Sequence, residues 1–159
     1  MSLIKRVLVS DAPRATLLIR AMAGGVFWSE GIQKFLEPAV RGAGRFVKIG
    51  IPFPEIMGPF VGGVEIVCGV LLLAGLLTRL AAVPLIVDML VAIGSTKIPI
   101  LLGHGFWGFS LKSLSSYGFF SMAHEARTDF AMLLGSVFLL IVGSGPWALD
   151  QRLSRRLQP

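Results

Sequence analysis

A glutamate at position 65 lies midway along a run from Met57 to Thr78 that is otherwise wholly apolar. A carboxylate in such a place either cancels a neighbouring charge or serves chemistry, by passing a proton or by holding a polar ligand. Four more charged residues interrupt apolar stretches in the same way: Arg20, Glu30 and Lys34 in the first, and Asp88 in the third. Their spacing is helical. Arg20, Gly24, Phe27, Gly31 and Lys34 recur at four, three, four and three, which keeps them on one helix face. Gly58, Gly62, Glu65, Gly69 and Leu76 share a second face, and Ala81, Pro84, Asp88, Ala92 and Ser95 a third. Small residues on each face let helices approach closely, so the stripes are expected to point inward and bring the charges together.

Depth restricts which charges can pair. At about 1.5 Å of rise per residue from the terminal side, Arg20 lies roughly 8 Å in, Asp88 roughly 12 Å, Glu30 and Glu65 roughly 20 Å, and Lys34 roughly 28 Å. The expected pairs are Arg20 with Asp88 and Lys34 with Glu65. Glu30 and Lys34 are also four apart on one helix, in the favourable order. These charges either fix helix register by cancelling one another or form a proton-conducting or ligand-binding site.

Other candidate chemistry is sparse. His104 and Glu125 lie in the longest link between apolar stretches and are candidate proton carriers, since a histidine changes charge near neutral pH. With His124 they lack the helical ligand spacing of a metal site, and there is no cysteine pair. Gly103-His-Gly-Phe-Trp-Gly108 fits the dinucleotide-binding spacing literally, but no strand precedes it and no βαβ context surrounds it. No serine–histidine–acid order or paired-acid arrangement supports hydrolysis.

The elements that would position these residues are four transmembrane helices over about 15–36, 58–78, 80–102 and 130–149. Each is near the roughly 20 residues that cross a bilayer core, and a short, continuously apolar chain satisfies its backbone there only as helices. The expected fold is therefore all-α: one domain over residues 1–159, an integral membrane four-helix antiparallel bundle. Thr78-Arg79 is almost the whole second link, which implies a tight hairpin. Arg41 to Ile49, in the first link, suits a short interfacial helix. Phe106, Trp107, Phe109, Tyr117, Phe119 and Phe120 in the third link suit the headgroup level.

Composition agrees. With 54% hydrophobic residues and a mean hydropathy of +0.77 the chain is too apolar for a soluble domain of 159 residues. The net charge of +6 lies between and beside the apolar stretches, not interleaved with aromatics on a polar face, so nucleic acid is not an expected partner. The single Cys68 sits in an apolar stretch and reads as a small hydrophobe. The apolar segment Ala15 to Ile19 is too short for a cleaved signal, so the first span is expected to do the targeting. Lys5, Arg6, Arg14, Arg79, Arg152, Arg155 and Arg156 fall on the side of the termini, against Arg41, Arg45, Lys48, Lys112 and Arg127 on the other. The excess places both termini in the cytoplasm.

Arg20-x-x-x-Gly24, Gly31-x-x-Lys34-Phe35, Phe46-x-Lys-Ile-Gly-Ile-Pro52 and the long motif from Glu65 through Gly69, Gly75 and Arg79 to Ala82 occur in that order. Together with Gly143-Ser-Gly-Pro-Trp-Ala-Leu-Asp150, they resemble the DoxX family over nearly the whole chain. Ala148 stands where that family's closing motif usually has serine, and Lys112 to Glu125 matches poorly. The resemblance implies a multi-pass inner-membrane protein of bacteria or archaea, with Arg20, Lys34, Glu65 and Asp150 as its family-like positions. The family takes its name from a small subunit associated with a quinone-reducing, thiosulfate-oxidising complex, and some relatives are linked to oxidative or thiol stress.

The expected function is thus a small membrane subunit or accessory of a quinone-linked oxidoreductase system, with no catalytic motif of its own. No cofactor is expected on this chain alone beyond a diffusible quinone. The expected partners are the lipid bilayer, a soluble or membrane oxidoreductase and further copies of the chain. The alternative is a non-enzymatic scaffold or a bundle that handles lipids or small solutes.

Overall fold

A computed structural model describes residues 12–156, with side chains as far as Leu153. Lys5 and Arg6, and the side chains of Arg155 and Arg156, counted above for orientation, lie outside the described residues. The described chain is all-helical: α1 (Thr16–Leu36), α2 (Ala43–Ile49), α3 (Pro54–Ala74), α4 (Thr78–Leu102), α5 (Phe119–Val142) and α6 (Leu149–Arg156).

The third apolar stretch forms α4 almost as expected, but α3 is shifted towards the N-terminus. Pro54 occupies its first turn, where a missing N–H costs nothing. Gly75 ends it at φ 65°, with Leu76 N–H bonded to Leu71 O. The apolar run continues through Leu76 and Leu77, but the left-handed glycine stops the helix first. The fourth helix also differs from the expected 130–149. It starts at Phe119, because its polar first turns are amphipathic and bury Ala126, and it stops at Gly143.

Packing follows the small residues. α1 lies along α3, α4 along α5, and the pairs close through α3–α4 and α1–α5 contacts. The α1–α3 seam is nearly backbone to backbone: a Cβ on Gly31 would come 2.6 Å from Gly62 O, and one on Gly24 2.8 Å from Gly69 O. Phe27, Leu72, Leu85, Met89, Met132 and Leu139 fill the core between the helices. Their outer faces stay apolar yet uncovered, as at Leu18, Phe60, Val67, Leu90 and Ile141.

α3 and α4 are each long and apolar enough to cross a membrane, and only 33% of either apolar window is buried within the protein. A soluble protein's core helix would hide most of such a surface. Within α4, residues Ile93–Lys97 form a π-helical turn. Pro99 follows, and the ring of a helical proline clashes with the carbonyl four residues back, so the wider turn accommodates it.

The glycines of the literal dinucleotide-like motif make turns instead. Gly103 ends α4 at φ 74°, and Trp107 and Gly108, both at positive φ, form a tight turn closed by mutual Phe106–Phe109 backbone bonds. Ser110 N–H then donates to Ile49 O and ties this loop to α2.

Candidate functional site

At the end of the helices away from the termini, α1, α2, α3, α4 and α5 surround a cavity of about 330 Å3. Its polar lining is Glu30 and Lys34 from α1, Arg45 from α2, Glu65 from α3, Asp88, Ser95 and Thr96 from α4, and Thr128 and Asp129 from α5. Phe27, Phe46, Met89 and Met132 supply apolar wall. Pockets of this size, mostly apolar with a few convergent polar groups, suit small ligands.

The glycine seam places the central pair. Gly31 and Gly62 let α1 and α3 close at the level where Lys34 and Glu65 face each other. Lys34 Nζ donates to Glu65 Oε2 at 2.5 Å, with the two side chains 10% and 4% exposed. Two helices that nearly touch thus bring this expected pair together. Glu30 lines the same cavity, but the lysine bonds Glu65.

Asp88 completes the group in an unexpected way. Its carboxyl lines the same cavity as Glu65, and its Oδ2 is buried with no hydrogen-bond partner among the described residues. Two ionised carboxylates are acceptors only. Satisfying this oxygen therefore takes a proton on the acids, a bound water or a donor brought by a ligand. The group offers one ammonium donor, one committed carboxylate and one acceptor still open.

Arg20 does not pair with Asp88. α4 begins at Thr78, so Asp88 is about 15 Å along it, whereas Arg20 is only about 6 Å along α1. The guanidinium, 1% exposed, instead donates to four carbonyls: Leu72 O and Leu73 O at 2.9 and 2.8 Å, and Ser144 O and Trp147 O at 3.0 and 2.9 Å. Asp150, equally buried, accepts from Leu77 N–H at 2.7 Å and Thr78 N–H at 3.1 Å. Both residues therefore serve the turn between α3 and α4, at the opposite end from the cavity.

His104 and Glu125 are not joined in one bonded network. His104 is exposed, with Nδ1 2.8 Å from Gly105 O, and Glu125 takes a 2.7 Å bond from Lys112. Glu125 lies on the polar first turns of α5, outside the apolar part that begins at Phe130. There the Lys112 hydrogen bond holds its carboxyl below the usual glutamate range.

Ser95, on the inward face with Asp88, lines the cavity as its spacing implied, whereas sequence reasoning missed the Lys97–Asp129 ion pair at 2.9 Å and the contribution of Arg45 and Thr96. The run Ser95-Thr96-Lys97 just before Pro99, in an otherwise apolar stretch, was the available signal. Among the described residues no group of three or more histidines, cysteines or acids is placed to hold a metal ion.

An all-helical protein with uncovered apolar faces and a charged internal cavity is a protein of membrane character. The DoxX family model matches residues 15–105, and this chain belongs to that family. It is 52% identical to the uncharacterized membrane protein Rv3486 of Mycobacterium tuberculosis, over 95% of this chain and 88% of the relative. It is 30% identical to CatD of Bacillus subtilis, provisionally named an oxidoreductase, over 85% of this chain and 84% of that protein. No solved structure matches significantly.

Proposed function

We propose that this is a multi-pass inner-membrane protein in which α1, α3, α4 and the apolar part of α5 cross the bilayer as an antiparallel bundle, both termini cytoplasmic. In this reading the cavity at Lys34, Glu65 and Asp88 binds a quinone head group, and the protein serves as an accessory of a quinone-linked oxidoreductase system. A soluble or membrane oxidoreductase partner exchanges the electrons.

The observation that carries this reading is the open acceptor of Asp88 beside the Lys34 ammonium. A quinone carbonyl accepts hydrogen bonds and a quinol hydroxyl donates them, so a donor and an acceptor side by side suit both forms. The apolar wall suits the ring, and burial strengthens each polar contact. The oxidoreductase name carried by CatD supports the redox setting.

The test is titration of the purified protein with a short-chain quinone in detergent or nanodiscs. Saturable binding, weakened roughly tenfold or more by Asp88→Asn or Lys34→Met, is the expected result. Affinity untouched by either change would exclude this cavity as the site.

A further inference from the structure

We propose that a second cavity, next to the first, binds the phosphate of an anionic phospholipid head group. It has a volume of about 560 Å3 and lies between α2, the π-helical turn of α4 and the loop at Ser110–Ser113. Arg41, Arg45, Lys48, Lys97 and Lys112 line it, with Glu125 as its one acid.

Part of that charge is already committed. Glu37 engages Arg41, Asp129 engages Lys97 and Glu125 engages Lys112. The side chains of Arg45 and Lys48, one helical turn apart on α2, make no hydrogen bond or ion pair with any described residue. Ser110 and Ser113 add neutral hydroxyls to the wall. Two uncommitted cations among three paired ones, with hydroxyls beside them, match a phosphodiester, whose oxygens accept several charge-assisted hydrogen bonds at once.

The surroundings favour a lipid over free phosphate. Val40 lines the cavity and is 64% exposed, and Val47, on α2 between the two cations in sequence, is 57% exposed. Apolar surface bordering a cationic recess is what a head group with acyl chains requires, since anionic lipids are held by buried apolar area together with charge attraction. Arg45, Ile49 and Thr96 line both cavities, so the seated head group stands beside the inner site. This inference rests on the membrane reading above and not on the quinone.

Native mass spectrometry and thermal unfolding of the detergent-solubilised protein test it, with phosphatidylglycerol, phosphatidylcholine and inorganic phosphate added separately. Phosphatidylglycerol should be retained and should raise the unfolding temperature, whereas phosphatidylcholine and inorganic phosphate should do neither. Arg45→Gln/Lys48→Gln should reduce retention roughly tenfold, and Arg127→Gln, outside the cavity, should not reduce it. Should the double variant fail to fold, the exposed Lys48→Gln alone carries the test through partial loss.

Equal retention of phosphatidylcholine, or equal loss in Arg127→Gln, would overturn the site. Equal stabilisation by inorganic phosphate would overturn the lipid assignment. Lys48→Gln lies outside the inner cavity and should leave quinone binding unchanged, so the two readings fail separately. Recovery of the protein in the soluble fraction would instead remove the membrane reading on which this one stands.

Discussion

Arg20 and Asp150 clasp one turn from opposite ends: the arginine takes carbonyls in the last turn of α3, at Leu72 and Leu73, and the aspartate takes the N–H groups of Leu77, just before α4, and of Thr78, its first residue. Helix ends leave such groups without intrahelical partners. In an apolar setting water is not at hand to satisfy them, and here two buried side chains from α1 and α6 do so. Gly75 makes room, since a Cβ there would come 2.5 Å from the guanidinium.

Removing either half of this clasp should destabilise the fold without touching the cavity. Asp150→Ala leaves two N–H groups unsatisfied, at a cost of about 1–3 kcal/mol each. Arg20→Lys should rescue poorly, because an ammonium cannot reproduce the guanidinium's planar array of donors. Thermal unfolding in detergent measures both, and an unfolding midpoint unchanged from wild type in either variant would contradict the assignment.

The glycine seam predicts effects of opposite sign from one type of substitution. Gly31→Ala forces a methyl against Gly62 O and should destabilise the protein by roughly 1–3 kcal/mol. Gly25→Ala, where a Cβ meets nothing within 4 Å, should stabilise by up to about 1 kcal/mol through helix propensity. Chemical or thermal unfolding of the two variants separates these outcomes. Equal effects would mean that α1 and α3 do not meet as described.

Acid should release the third link. Because the hydrogen bond from Lys112 lowers the Glu125 pKa in the folded chain, this pair contributes its stability above the usual glutamate range. That contribution is lost as pH falls through the lowered value. Amide exchange across Ser110–Ser113 should therefore accelerate on acidification, and Glu125→Gln should show the faster exchange at neutral pH. The exchange is compared after correction for its intrinsic pH dependence.

Much of this was legible before any coordinates. The period of small residues found the α1 and α3 faces, and depth along two antiparallel helices was enough to join Lys34 to Glu65. Arg20 was misassigned because its partners are backbone carbonyls, which carry no residue signature; a charge looks for a charge in sequence, but in the fold it found helix ends. The start of α5 was missed for a related reason. Hydropathy sees Phe130 onward, while the turns carrying His124, Glu125 and Asp129 are helical by amphipathic packing and bury only a narrow stripe. The open oxygen of Asp88 could not be read from sequence at all, because it depends on which neighbours fail to reach it.

The central claim is that Lys34, Glu65 and Asp88 form a ligand site and not only a balanced charge group. Breaking one partner of the buried pair should cost about 3–5 kcal/mol, whereas removing both together can be close to neutral. Equilibrium quinone binding to the double variant Lys34→Met/Glu65→Gln, checked for native-like unfolding, is the most direct measurement. A well-folded double variant that has lost quinone binding by tenfold or more is the predicted result. A well-folded double variant that binds quinone as the wild type does would show that the pair only fixes the helices, and would contradict the account.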